Sequence, residues 1–215
     1  MIDTLEANRH KAEDLDINEI IKNNLIPGQI SPSHPLTFAS SSYALMTMHR
    51  PSNVDEKQIL EPLFNFLNDQ VTTDMPLIWP IHPRSQNRLQ EFGLWEKALN
   101  SEQLILLHPV GYHEMLRLNM DARLMLTDSG GLQEECCVLG TPCLTLRWNT
   151  ERPVTLREHN GASVLVGNNE QRIRKEYQDT LKLNRKPQRP ELWDGRTAER
   201  CVKAIVDYDK VNVND

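Results

Sequence analysis

No apolar run in this 215-residue chain approaches the ~20 residues that span a bilayer, and the opening Met1-Ile-Asp-Thr-Leu-Glu-Ala7 carries no signal-peptide core. A membrane anchor and a secretory route are therefore not expected, and the cytoplasm is. Cysteine is scarce: Cys136, Cys137, Cys143 and Cys201 show no C-x-x-C spacing, which points to buried, reduced thiols. The histidines form no H-E-x-x-H or similar ligand set, and His108 and His113 merely flank a Pro-Val-Gly turn, so no bound metal is expected. Positive charge is also in short supply. With 24 Lys and Arg against 30 Asp and Glu, the net charge of -6 argues against nucleic acid or an anionic membrane as partner. Any phosphate this chain binds has to be met locally. Internal repeats and low-complexity tracts are absent as well.

What is present is an ordinary globular composition, 39% hydrophobic and 25% charged, enough for one large α/β domain with a long terminal helix. Residues 1–40 read as a lead-in between domains: helices over Met1 to Asp14 and Ile17 to Asn24, then an irregular, turn-rich Ile26 to Pro35. Residues 41–190 alternate strand and helix. Strands are expected at Tyr43 to Met48, Leu77 to Ile81, Leu104 to Leu107, Leu124 to Leu126, Cys143 to Leu146 and Ser163 to Val166. Helices are expected at Glu56 to Gln70, Arg84 to Leu94, Tyr112 to Asn119, Gly131 to Leu139, Thr150 to Glu158 and Glu170 to Leu183. Short strands apolar on both faces imply a parallel sheet covered by helices, a Rossmann-like doubly wound fold of about six strands. Residues 191–215 hold a last helix, Thr197 to Tyr208, whose apolar face of Ala198, Cys201, Val202, Ile205 and Val206 should pack on the sheet or on a neighbouring domain.

In such a sheet ligands bind beyond the carboxyl ends of the strands. The residues there are His49-Arg50, His82, His108, Asp128-Ser-Gly-Gly131 and Arg147 through Arg152. The densest signal is Arg123 to Gly140, a strand that runs through Asp-Ser-Gly-Gly into a helix. Ser129 suits the N-cap, and two glycines beside unpaired amide N–H groups let an anion approach the backbone. Glu135 lies ~8 Å further along the helix axis, within reach of a sugar hydroxyl beyond a bound phosphate. The same residues also describe a plain capped helix whose first-turn acids are favoured by the helix dipole. Arg152 reads as an anion ligand, with an ion pair to Glu151 or Glu158 as the alternative, and His49 as a site residue or a hydrogen-bonded loop histidine.

Taken together, Met48-His-Arg-Pro-Ser-Asn-Val-Asp55, Trp79-Pro-Ile-His-Pro83, Leu126-Thr-Asp-Ser-Gly-Gly-Leu-Gln-Glu-Glu135, Leu146-Arg-Trp-Asn-Thr-Glu-Arg-Pro153 and Val164-Leu-Val-Gly167 resemble the non-hydrolysing UDP-N-acetylglucosamine 2-epimerases. The five segments come in order, each at a strand exit, and cover about Tyr43 to Gly167. Ile2-Asp-Thr-Leu5 resembles the segment that leaves the family's first domain. The resemblance implies the C-terminal half of a GT-B type two-domain fold. It implies a UDP-sugar as ligand and no separate cofactor. Ser129, Gly130 and Gly131 would seat the diphosphate, Glu135 the ribose hydroxyls, and Arg152 and His49 would meet the diphosphate. His49 would have a catalytic part, Arg50 and Gln133 would be outer contacts, and Met115 would pack beside the uracil. The implied reaction eliminates UDP to give a 2-acetamidoglucal and re-adds it with C2 inverted.

Two departures stand out: Ser52 replaces the family's usual Glu, and His108 takes a position often acidic. The carboxylates that move the C2 proton belong to the family's N-terminal domain, so this half alone is not expected to epimerise. Its implied partners are that domain, in cis or in trans, and a second copy, since whole enzymes of the family pair. A GT-B glycosyltransferase half and a non-catalytic nucleotide-sugar-binding or interaction protein remain alternatives.

Overall fold

The six short apolar runs pair into one all-parallel sheet in the order β3-β2-β1-β4-β5-β6. The computed structural model describes residues 1–29 and 38–212, so part of the turn-rich Ile26 to Pro35 stretch and the last three residues lie outside it. In chain order the elements are α1 (Ile2–Glu13), α2 (Ile17–Asn24), β1 (Ala44–Thr47), α3 (Pro51–Val54), α4 (Lys57–Phe66), α5 (Thr72–Asp74), β2 (Leu77–Pro80), α6 (Pro83–Glu91), α7 (Trp95–Leu99), β3 (Leu104–Leu107), α8 (Tyr112–Asp121), β4 (Leu124–Thr127), α9 (Gly130–Leu139), β5 (Cys143–Thr145), β6 (Ser163–Leu165), α10 (Glu170–Leu181) and α11 (Thr197–Asn212).

Side chains alternate across a pleated strand, and both faces here are covered. Ala44, Met46, Trp79, Leu124 and Leu126 enter a core with Leu60, Phe64 and Tyr177 of α4 and α10. Leu45, Ile78, Ile105 and Met125 point the other way, towards Ile20 and Ile21 of α2 and Leu118 of α8. The connections change face between β1 and β4, which puts the switch point of the sheet at its centre.

The lead-in is built into this domain. Ile2, Leu5 and Ala12 of α1 pack with Leu116, Val138 and Leu139 of α8 and α9. Gln29 closes the edge of β3: its amide donates to Leu106 O and its carbonyl accepts from Leu106 N, both at 2.8 Å.

Two expectations need correcting, and a third is narrowed to one of its alternatives. Thr150 to Glu158 is not an α-helix but two 3-10 turns, Pro153–Thr155 and Arg157–His159. Pro153 disfavours the helical region for the residue before it, and Arg152 sits at φ -129°, ψ 60°. The apolar face of α11 does not reach the sheet: Val202 and Ile205 are 61% and 63% exposed. Cys201, on the same helix, is exposed too, whereas Cys136, Cys137 and Cys143 are buried. Among the described residues no helix is long and apolar enough to cross a membrane.

Candidate functional site

β1 and β4 end in register at Thr47 and Thr127, whose hydroxyls lie 2.7 Å apart. Their exits, His49-Arg50 and Asp128-Ser129-Gly130, therefore leave the sheet side by side. Asp128 joins them. It is fully buried, and its Oδ2 accepts from the N–H groups of His49 at 2.9 Å and Arg50 at 2.8 Å and from Asn53 Nδ2 at 3.1 Å. Its Oδ1 lies 3.1 Å from His49 Nδ1. Burial would raise this carboxyl, but the His49 side chain and the backbone donors outweigh it and hold Asp128 below the usual carboxylate range. The Asp128 bond in turn raises His49 above the ordinary imidazole value, against its partial desolvation. Arg50 Nε donates to Asp128 O at 2.8 Å, so this arginine is partly spent on holding the turn.

Ser129 stands at the N-cap of α9 with extended backbone, but its hydroxyl makes no capping bond. Asp128, just before it, is engaged by the 49–53 turn. At the mouth of α9 the Arg152 guanidinium lies over Gly130: a Cβ there would come within 2.8 Å of Nη1. Only glycine allows the approach. A Cβ on Gly131 would meet Met1 Cε at 2.9 Å.

Arg152 pairs with Glu151 at 2.7 Å and with Glu134 at 3.1 Å, not with Glu158. Glu151 also takes Arg147 at 2.6 Å, and the bond to Arg147 drops its pKa to about 2. The Glu151 carboxylate lies at the same helix mouth, 3.2 Å from where a Gly130 Cβ would stand. Glu151 is more than half exposed, so water competes for this pair. Gln133 is fully buried and accepts from Thr150 Oγ1 at 2.8 Å, which itself accepts from Arg152 N at 3.0 Å. It anchors the loop that carries Arg152.

Glu135 is 2% exposed, and its Oε2 has no hydrogen-bond partner. Burial pushes it up to about 7, opposed by a bond from the Tyr112 hydroxyl and reinforced by Glu134. A buried acceptor without a donor is a place for a ligand hydroxyl.

Next to these groups a cavity of about 200 Å³ is lined by His49, His82 and Ser129 together with apolar Val110, Met115 and Leu132. A mostly apolar lining with a few polar groups is the composition that takes a flat, uncharged ring. A slightly larger cleft of about 230 Å³ opens at the amino ends of β5 and β6, away from all of these residues. His108 is exposed, donates its N–H to Asn24 O at 2.8 Å and does not line the cavity. Ser52 contributes only its carbonyl, to Asn168 Nδ2 at 3.1 Å. Asn53 and Tyr112 escaped the sequence reading. Asn53, on a one-turn helix opened by Pro51, had a signal in its spacing from His49, whereas Tyr112 had none.

A family model described as UDP-N-acetylglucosamine 2-epimerase matches residues 1–206. A curated UDP-N-acetylglucosamine 2-epimerase of Methanocaldococcus jannaschii is 42% identical over 78% of this chain and 45% of its own length. A Pseudomonas aeruginosa UDP-2,3-diacetamido-2,3-dideoxy-D-glucuronate 2-epimerase is 32% identical over 74% of this chain and 43% of its own. The structure of the M. jannaschii UDP-GlcNAc 2-epimerase in complex with UDP-GlcNAc and UDP superposes with a TM-score of 0.76 and 35% identity, over 95% of this chain and 52% of that one. The chain spans about half the length of the relatives it matches.

Proposed function

Because the chain belongs to the UDP-N-acetylglucosamine 2-epimerase family, we propose that it supplies the UDP-binding half of an enzyme that interconverts UDP-N-acetylglucosamine and UDP-N-acetylmannosamine. The observation that supports this most directly is the Arg152 guanidinium against Gly130 at the N-terminus of α9, with buried, half-partnered Glu135 further along the same helix. Helix amides and a fixed guanidinium fork form a seat for a diphosphate, and an unsatisfied carboxylate oxygen beyond it suits ribose hydroxyls. The apolar slot beside Met115 and Val110 suits the uracil.

In the reaction proposed, a base removes the C2 proton, the C1–O bond breaks, and its electron pair leaves on the diphosphate. Return of UDP and of a proton to the opposite face of C2 inverts that centre. Donors preorganised on the leaving oxygens stabilise the charge as it develops. Here those donors are Ser129, the Gly130 and Gly131 amides, Arg152 and His49. The base comes from the N-terminal half, in cis or in trans, and the uncovered apolar face of α11 is a surface on which that half can dock.

Calorimetry with UDP tests the site. Arg152→Ala should weaken UDP more than tenfold, since a hydrogen-bonded charge is worth about 1.5–3 kcal/mol. Unchanged affinity would remove Arg152 from the seat, and no UDP binding by the unaltered chain would end the reading. An assay with acceptor sugars separates it from a glycosyltransferase.

A further inference from the structure

Two imidazoles line the cavity, and their bonds set them apart. The rings of His49 and His82 lie 5.2 Å between centroids. His82 Nδ1 accepts from Arg84 N at 3.1 Å, so His82 carries its proton on Nε2. His49 Nδ1 lies 3.1 Å from a carboxylate oxygen that can only accept, so His49 holds a proton on Nδ1. Asp128 Oδ1 is buried and makes no well-formed hydrogen bond, its 3.1 Å approach to His49 Nδ1 being an ion-pair contact, while Oδ2 is taken up by three N–H donors that lock the carboxylate in place.

We propose that Asp128 is a positioning residue for His49: it claims Nδ1–H, fixes the ring, and leaves Nε2 as the nitrogen that meets the ligand in the cavity. The inference rests on the nucleotide reading for what Nε2 meets, namely an oxygen of the diphosphate, but the pairing itself does not depend on it. A cationic His49 donates from Nε2 to that oxygen as the C1–O bond weakens. No proton need be transferred, and the ring is already aimed before the ligand arrives. The charged and titratable groups around His49 are Asp128 at the β4 exit, Arg50 on its own turn, Arg84 on α6 and His82 at the β2 exit. The two arginines act against the cation, and the buried carboxylate outweighs them.

Long-range proton–nitrogen NMR of the imidazoles in the intact, labelled chain tests this, with His49 assigned by its loss in His49→Gln. The expected result is an Nδ1–H tautomer for neutral His49 and a proton affinity at least about tenfold lower in Asp128→Asn. UDP-N-acetylglucosamine serves as the ligand because its diphosphate diester does not titrate near neutrality, and it should move the His49 Nε2 resonance. An Nε2–H tautomer in the unaltered chain would overturn the proposal. That measurement decides the matter even if Asp128→Asn fails to fold. A folded Asp128→Asn whose His49 titrates unchanged would overturn it too, because a carboxylate that merely tethered the turn through Oδ2 would leave the imidazole unaffected. If UDP-N-acetylglucosamine gives no calorimetric binding at any pH, the nucleotide reading and the task given to Nε2 fall together, while the tautomer still judges the Asp128–His49 pairing on its own.

Discussion

Glu135→Gln separates what the fold wants from what a ligand wants. In the unfolded chain this carboxyl titrates near its ordinary 4.5, and in the fold it is raised to about 7 by burial. Protonated Glu135 is therefore the form that the fold favours. Its contribution is fully present below pH 4.5 and is lost as the pH climbs through 7. At about 1.4 kcal/mol for each tenfold change in proton affinity, the loss amounts to about 3 kcal/mol. A glutamine has no such dependence. Its amide also meets no partner where Oε2 stands, but that cost is the same at every pH. Between pH 4.5 and 8.5 the stability of Glu135→Gln should thus rise relative to the parent by about 3 kcal/mol, or about 6–12 °C in Tm for a chain of this size. At pH 8 the same variant should bind UDP about ten- to a hundredfold more weakly, as expected for losing a charged acceptor. Thermal melts across the pH range and calorimetry at pH 8 measure both. Melting temperatures that stay parallel between parent and variant would refute the burial argument, and unchanged UDP affinity would refute the ribose role.

Gly130→Ala places a methyl 2.8 Å from the Arg152 guanidinium, the mobile end of a long side chain, so the fold should survive while UDP affinity drops severalfold in calorimetry. Glu151→Gln removes the anion that shares the seat, so UDP should bind more tightly than to the parent, with the gain shrinking as salt is added. Leu126→Ala, deep in the core beneath the site, should cost about 2–5 kcal/mol in denaturant unfolding. The bare face of α11 should bind a hydrophobic dye, and Val202→Lys with Ile205→Lys should abolish that signal without moving UDP affinity.

The strands were readable because Leu77, Leu104, Leu124 and their neighbours form short apolar runs between breakers, and their observed ends differ from the expected ones by at most one residue. Thr150 to Glu158 misled because its residues look acceptable one at a time, while Pro153 acts on the conformation of the residue before it. The meeting of Gly130 with Arg152 in the candidate site was suggested by Ser129-Gly130-Gly131 and Arg152 both standing at strand exits of one parallel sheet. The partners of Asp128 could not be read: His49, Arg50 and Asn53 are 75 to 79 residues away in the chain and meet it only through sheet pairing. The exposure of α11 was equally hidden, because an amphipathic pattern states that a face needs cover and not what supplies it.

The threonine pair that ends β1 and β4 makes the site a gauge of strand alignment. A slip by one residue would carry Asp128 ~3.3 Å along the sheet and turn it to the opposite face, away from both backbone N–H groups and the imidazole. Molecules that capture nucleotide during refolding would then be those whose two central strands have met correctly. Ligand added early should sort the aligned from the misaligned.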